Sequence, residues 1–235
     1  MDKMILYEDD ALFVVHKPQG IATQTARIGQ IDVVSELKNY RKRKGEDTYI
    51  GVIHRLDQPV EGLLVFAKTP QAATALSSQL HTGTFEKRYI AFLDGIVNEG
   101  VEAELTNYLW KDSRTNLSKV VNSEMNGAKK ARLHYKGIKT CEKKGYSIVE
   151  ITLFTGRHHQ IRVQLSHAGL PLLGDMKYGT VHSKEASKEL GIESVALLAH
   201  NLVFRHPISN KKMAFLIKYE EAGFCRDSLV MQFFE

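Results

Sequence analysis

Two segments carry residue types and spacings from which chemistry can be built. His54-Arg55-Leu56-Asp57 sets two cationic or potentially cationic side chains directly before a carboxylate, ahead of an apolar run that begins at Gly62. Such surroundings can hold an aspartate ionised, ready as nucleophile or general base. The same carboxylate can equally satisfy backbone amides of the turn before Pro59. Thr155-Gly156-Arg157-His158-His159-Gln160-Ile161-Arg162 gathers donors where a strand gives way to a helix, a place that favours anions. Those donors suit phosphates or a buried carboxylate; a solvated basic first turn has the same composition.

Other chemistries find no support. His158, His159 and His167 are close in sequence, but their spacing fits neither HExxH nor a two-by-two zinc site. GxxxxGK[ST], GxGxxG and GxSxG are all missing. Neither a metal nor an organic cofactor is expected. The two cysteines, Cys141 and Cys225, form no CxxC, so neither a disulfide framework nor a thiolate zinc site is expected, and a reducing compartment fits.

The elements that must position these segments are mixed. Leu12-Phe13-Val14-Val15 reads as a strand closed by the turn chemistry of Lys17-Pro18-Gln19-Gly20. A helix is expected over 32–44, with Asp32 as N-cap and Val33, Leu37 and Tyr40 on one face. The run 62–68 reads as a buried strand, followed by a helix over 70–81 with Pro70 in its first turn. Residues 87–97 read as a strand, and 149–153 as a half-exposed one, because Val149, Ile151 and Leu153 alternate with polar neighbours. Ile161, Leu165 and Ala168 recur at helical spacing before Gly169, a good C-terminal stop. Residues 196–204 and 213–218 complete a strand-rich end. Strands and helices do not alternate strictly, so the expectation is an α+β fold: a central mixed, mostly antiparallel sheet flanked by helices. No linker or repeat interrupts the chain, and residues 1–235 read as one domain.

The chain has 235 residues, 43% of them hydrophobic, enough for a substantial core. Its net charge of +5 and pI near 9.0 favour an anionic partner. Basic clusters at 41–44, Lys129-Lys130 with Arg132, Lys143-Lys144 and Lys211-Lys212 lie near Tyr40, Tyr135, Tyr146 and Phe215, a pairing compatible with an RNA surface. Each run alone also fits a solubilising face. The acidic start MDKMILYEDD lacks the features of a signal peptide, and no apolar run approaches the roughly 20 residues that span a bilayer. A soluble, cytoplasmic, monomeric protein without membrane association is expected.

His54-Arg55-Leu56-Asp57 with Gly62-Leu63-Leu64-Val65-Phe66-Ala67-Lys68-Thr69 resembles the signature of the RluA-type RNA pseudouridine synthases. The resemblance spans nearly the whole chain. Residues 5–18 look like that family's opening. Lys87-Arg88-Tyr89-Ile90-Ala91 matches its tyrosine motif. Residues 155–163, with Gly169-Leu170-Pro171 and Gly174-Asp175, match its arginine motif. Residues 197–207 resemble its closing motif. The resemblance implies a catalytic domain without an N-terminal S4 domain, isomerising uridine to pseudouridine in ribosomal or transfer RNA with neither metal nor cofactor. Asp57 would attack C1′ or take a sugar proton. Tyr89 would stack on the base and help remove the C5 proton, and Arg162 would pair with Asp57. Arg55, with His54, would occupy the substrate side, Arg55 filling the place vacated by the flipped nucleotide. Leu198 would wall the base pocket; it reads equally as a core leucine.

The chain departs from the family at Gln58-Pro59-Val60-Glu61, where the common pattern has Thr-Ser before the glycine. Two alternatives follow from the residues. One is a non-catalytic RNA-binding or ribosome-assembly factor on the same fold. The other is a carboxylate-dependent hydrolase, which needs a second carboxylate roughly 5–9.5 Å from Asp57, with Glu61 the near candidate.

Overall fold

A computed structural model describes residues 2–25, 29–226 and 228–234. In chain order the elements are β1 (Ile5–Glu8), β2 (Leu12–Lys17), α1 (Val33–Arg43), β3 (Gly51–Val52), β4 (Glu61–Ala67), α2 (Pro70–Thr82), β5 (Glu86–Asp94), β6 (Glu102–Asp112), β7 (Leu117–Val121), β8 (Lys129–Cys141), β9 (Tyr146–Leu153), α3 (Gln160–His167), α4 (Val181–Glu189), β10 (Leu197–Arg205), β11 (Lys212–Leu216) and the short α5 (Gly223–Arg226). The fold is α+β, and the ladders β1–β2, β2–β4, β3–β4, β10–β11, β5–β9, β8–β9, β6–β8 and β6–β7 all run antiparallel. The chain forms two compact units, residues 1–87 with 199–218, and residues 88–198 with 219–235.

In the first unit the strand order is β1-β2-β4-β10, with β11 on β10 and β3 on β4. All seven residues of β4 are buried, which explains its unbroken apolar run. Gly62 in β4 has φ +133, and a Cβ there would stand under 3 Å from the backbone of Ala199. Only glycine lets the two backbones approach so closely. Helix α1 starts where expected: the Asp32 side chain accepts the Ser35 N–H at 2.8 Å, and Val33, Val34 and Leu37 are buried. Helix α2 has Thr69 as N-cap, Pro70 in its first turn and Gly83 in the left-handed region at its end.

In the second unit the order is β5-β9-β8-β6-β7. Strand β9 is more buried than its alternation suggests, since Ser147 and Ile148 are covered as well as Val149 and Ile151. The cover over Phe92 comes from far along the chain, where Tyr219, Phe224 and Phe234 set their rings edge-on or tilted against it. Among the described residues no helix is long and apolar enough to cross a membrane.

Candidate active site

Asp57 sits in the loop between β3 and β4, on a turn closed by the Val60 N–H donating to the Asp57 carbonyl at 3.0 Å. This loop is clamped against the segment that follows β2. Thr23 Oγ donates to the Leu56 carbonyl at 2.9 Å and accepts the Leu56 N–H at 3.1 Å. Gly20 N–H donates to the Gln58 carbonyl at 3.0 Å, and Gln58 Nε2 returns a bond to the Gly20 carbonyl at 2.9 Å.

The clamp is centred on Lys17, the last residue of β2, which is fully buried. Its ammonium donates to the carbonyls of Pro18 at 2.9 Å, Ile21 at 2.7 Å and Gln58 at 3.2 Å, so each N–H meets an acceptor. Burial draws its pKa down to about 8, against the opposing pull of the Glu61 and Asp57 carboxylates. Glu61 is itself buried and accepts from His16 Nε2 at 2.8 Å. A carboxylate engaged in this way is poorly placed to activate water, which weakens the hydrolase alternative.

The residues before Asp57 differ from each other. Arg55 is exposed. His54 is not the second cation that the sequence allows: burial, with the Lys87 charge adding, draws its pKa to about 3. Its Nε2 faces the Val65 N–H at 3.4 Å, its ring meets Phe85 edge-on, and Nδ1 is buried with no hydrogen-bond partner among the described residues. A neutral imidazole packed on a phenyl ring adds no charge beside Asp57.

The second unit carries Tyr89, Arg162 and Leu198. Tyr89 lies in β5 opposite Ile151 and is buried. Leu198, near the start of β10, is fully buried. Arg162 lies in the first turn of α3 and its side chain is 3% exposed. Nε and Nη2 donate to the two oxygens of Asp175, both at 2.7 Å. Burial alone would raise the Asp175 pKa. The Arg162 guanidinium and the N–H groups of Tyr178 and Lys177 outweigh it and hold the carboxyl below its ordinary value. The Tyr178 ring lies 5.1 Å from the Arg162 Cζ, and its hydroxyl is 2.7 Å from His159 Nδ1. His159, with φ 54, is a non-glycine residue in the left-handed region at the helix start, held by this contact.

Asp57, Arg55 and His54 therefore fall in the first unit, and Tyr89, Arg162 and Leu198 in the second. Sequence reasoning assigned no role to Lys17, Asp175 or Tyr178. Lys17 could have been noticed as a lysine ending an apolar strand; Asp175 falls within the matched arginine motif, but nothing in the motif shows that it pairs with Arg162, thirteen residues away. Among the described residues no group of three His, Cys, Asp or Glu side chains is arranged to hold a metal ion.

The RNA pseudouridylate synthase family matches residues 11–167. The tRNA pseudouridine synthase C of Pasteurella multocida is 30% identical, the match covering 89% of this chain and 88% of that protein. The ribosomal large subunit pseudouridine synthase D of Zymomonas mobilis is 35% identical over 90% of this chain and 67% of its own length. Among solved structures, human RNA pseudouridylate synthase domain containing 4 shares the fold with a TM-score of 0.72 at 22% identity, covering 92% of this chain and 88% of that one.

Proposed function

The chain belongs to the RNA pseudouridylate synthase family and is an isomerase acting on RNA; from this we propose that it converts uridines of transfer or ribosomal RNA to pseudouridine with Asp57 as the catalytic carboxylate. The reaction breaks the N1–C1′ bond and forms a C5–C1′ bond, moving a proton from C5 to solvent and one onto N1. Asp57 either attacks C1′ or removes a sugar proton. Tyr89 stacks on the base and assists loss of the C5 proton. Arg162 orients Asp57, its guanidinium held by Asp175 through two of its five donors. Arg55 fills the space left by the flipped nucleotide, and Leu198 walls the base. The observation that carries this reading is the double clamp on the Asp57 loop, by Lys17 and by Thr23. It fixes the backbone on both sides of one carboxylate, the preorganisation that a catalytic group requires.

The reading also places the protein in the cytoplasm with its RNA. Its test is modification mapping. RNA from cells lacking the gene is incubated with wild type and with Asp57→Asn. Wild type should introduce pseudouridine at defined positions, and Asp57→Asn, still folded and still binding RNA, should introduce none. Normal turnover by Asp57→Asn would remove Asp57 from the mechanism. Release of free uracil would mean a hydrolase.

A further inference from the structure

We propose that a cleft in the second unit, lined by Trp110, Lys111, Ser118, Lys129, Arg157 and His158, is a subsite for one nucleotide of the substrate RNA, its base on Trp110 and its phosphate among Lys111, Lys129 and Arg157. This rests on the reading that the chain acts on RNA.

The cleft measures about 390 Å³, within the range of sites that hold small organic groups. It lies where β6, β7 and the start of β8 meet the segment leading into α3. Strands β6 and β7 pair Trp110 with Lys119 and Lys111 with Ser118, while Lys129 lies opposite Leu109 on the other side of β6. Residues 109–132 hold six lysines and arginines against two acids, Asp112 and Glu124, so most of the net charge of +5 is gathered there. Lys111, Lys129 and Arg157 are exposed, as a phosphate contact requires. Trp110, the single tryptophan of the chain, is partly exposed. Lys119 stands 5.3 Å from its ring, and the backbone of Gly127 passes its pyrrole edge, where a Cβ would lie 3.6 Å from Cδ1. A residue with no side chain at that point keeps the edge of the indole clear. An aromatic surface rimmed by cations is the arrangement that binds single-stranded nucleic acid, the ring stacking on any base and the cations tracking the backbone.

The floor of the cleft is organised. His158 Nδ1 lies 2.9 Å from Ser118 Oγ and its ring stacks on His159 at 3.7 Å. The Ser118 N–H donates to the Tyr178 hydroxyl at 2.8 Å, and that hydroxyl meets His159. Tyr178 in turn packs against Arg162. A nucleotide in the cleft therefore rests on Ser118 and His158, which touch Tyr178 and His159, and Tyr178 packs on Arg162, so the cleft and that arginine are joined by a relay of contacts.

Because Trp110 is the only indole, its fluorescence reports the cleft alone. A 12-residue oligouridylate labelled with fluorescein at one end is titrated into the wild-type chain, reading anisotropy and Trp110 emission together. Quenching should follow the anisotropy curve with the same midpoint. Lys111→Gln/Lys129→Gln should weaken binding about tenfold at low salt and flatten the dependence of log affinity on log salt by about 1.4, two contacts at roughly 0.7 each. Lys42→Gln/Arg43→Gln removes the same charge from exposed positions on α1 and should do neither. Binding by anisotropy with unchanged Trp110 emission would overturn the assignment, as would equal quenching by polyglutamate, which has charge but no base. Quenching intact in a wild-type enzyme that forms no pseudouridine in cellular RNA would leave the cleft standing and refute the catalytic reading instead.

Discussion

Arg162 and Asp175 face each other through two 2.7 Å hydrogen bonds, with side chains 3% and 1% exposed. A fork-to-fork pair of this kind fixes the plane of the guanidinium as well as its position. Removing the carboxylate takes from a buried cation the acceptor of both these bonds. Asp175→Ala should therefore cost about 3–5 kcal/mol in urea unfolding. An unchanged midpoint would show that the pair is not braced as described.

The pH dependence of that contribution has a defined sign. The Asp175 carboxyl is held below its ordinary value of 3.8 in the folded chain, so its stabilisation is complete above pH 3.8 and is lost as pH falls through the folded pKa. The stability gap between wild type and Asp175→Asn should be constant near neutrality and shrink below pH 3.8. A gap that widens on acidification would contradict the assignment.

Arg162→Lys should fail to restore what Arg162→Ala loses. An ammonium offers a point charge where two parallel donors are needed. Both variants should lower kcat far more than they weaken RNA binding. Full activity in Arg162→Lys would reduce the role of the arginine to charge alone.

Lys17 predicts an alkaline limit. Its pKa of about 8 lies below that of an ordinary lysine at 10.5, so between these values the unfolded chain holds a proton that the folded chain has shed. Stability should then rise with pH across this interval, while activity falls as the ammonium that ties Gln58 to Pro18 and Ile21 loses its charge. Rate profiles should bend downward near pH 8. A profile flat to pH 9.5 would separate Lys17 from the ordering of the Asp57 loop.

Gly62→Ala should be among the most damaging single-methyl substitutions in the chain. The added carbon meets the Ala199 backbone and the residue must hold φ +133. Overpacking alone costs about 1–3 kcal/mol, and the backbone strain adds to it. Soluble expression with a wild-type melting temperature would show that β4 and the start of β10 can separate without loss.

The sequence was most legible where one residue type has one physical meaning. Asp32 before an amphipathic run reads as an N-cap, and α1 begins beside it. The apolar stretch after Gly62 became a wholly buried strand. The long strands β6 and β8 carry the same period-two alternation, Glu102-Ala103-Glu104-Leu105 in one and Arg132-Leu133-His134-Tyr135 in the other, which sequence reasoning passed over. Their outward faces are so rich in charge, paired by ions such as Lys136 with Glu102, that the inward apolar residues stand out little. Helix α4 escaped because its first apolar residue, Val181, faces solvent at 75% exposure. In the candidate site the motifs marked Asp57 and Arg162 with roles, while Lys17 and Asp175 fell inside matched motifs without one. Lys17 read as part of a turn, because nothing in its neighbours shows that three carbonyls converge on it.

The two units are interleaved along the chain, so neither can be finished in order of synthesis. The partners of β4 include β10, made roughly 130 residues later, and Phe92 waits a similar distance for Phe224 and Phe234. At about 5–20 residues per second, a growing chain carries Leu63, Leu64, Val65 and Phe66 without their final neighbour for on the order of ten seconds. A nascent polypeptide with that strand edge uncovered is a client for holding chaperones, and its yield in a cell should respond to the speed of translation between residues 67 and 197.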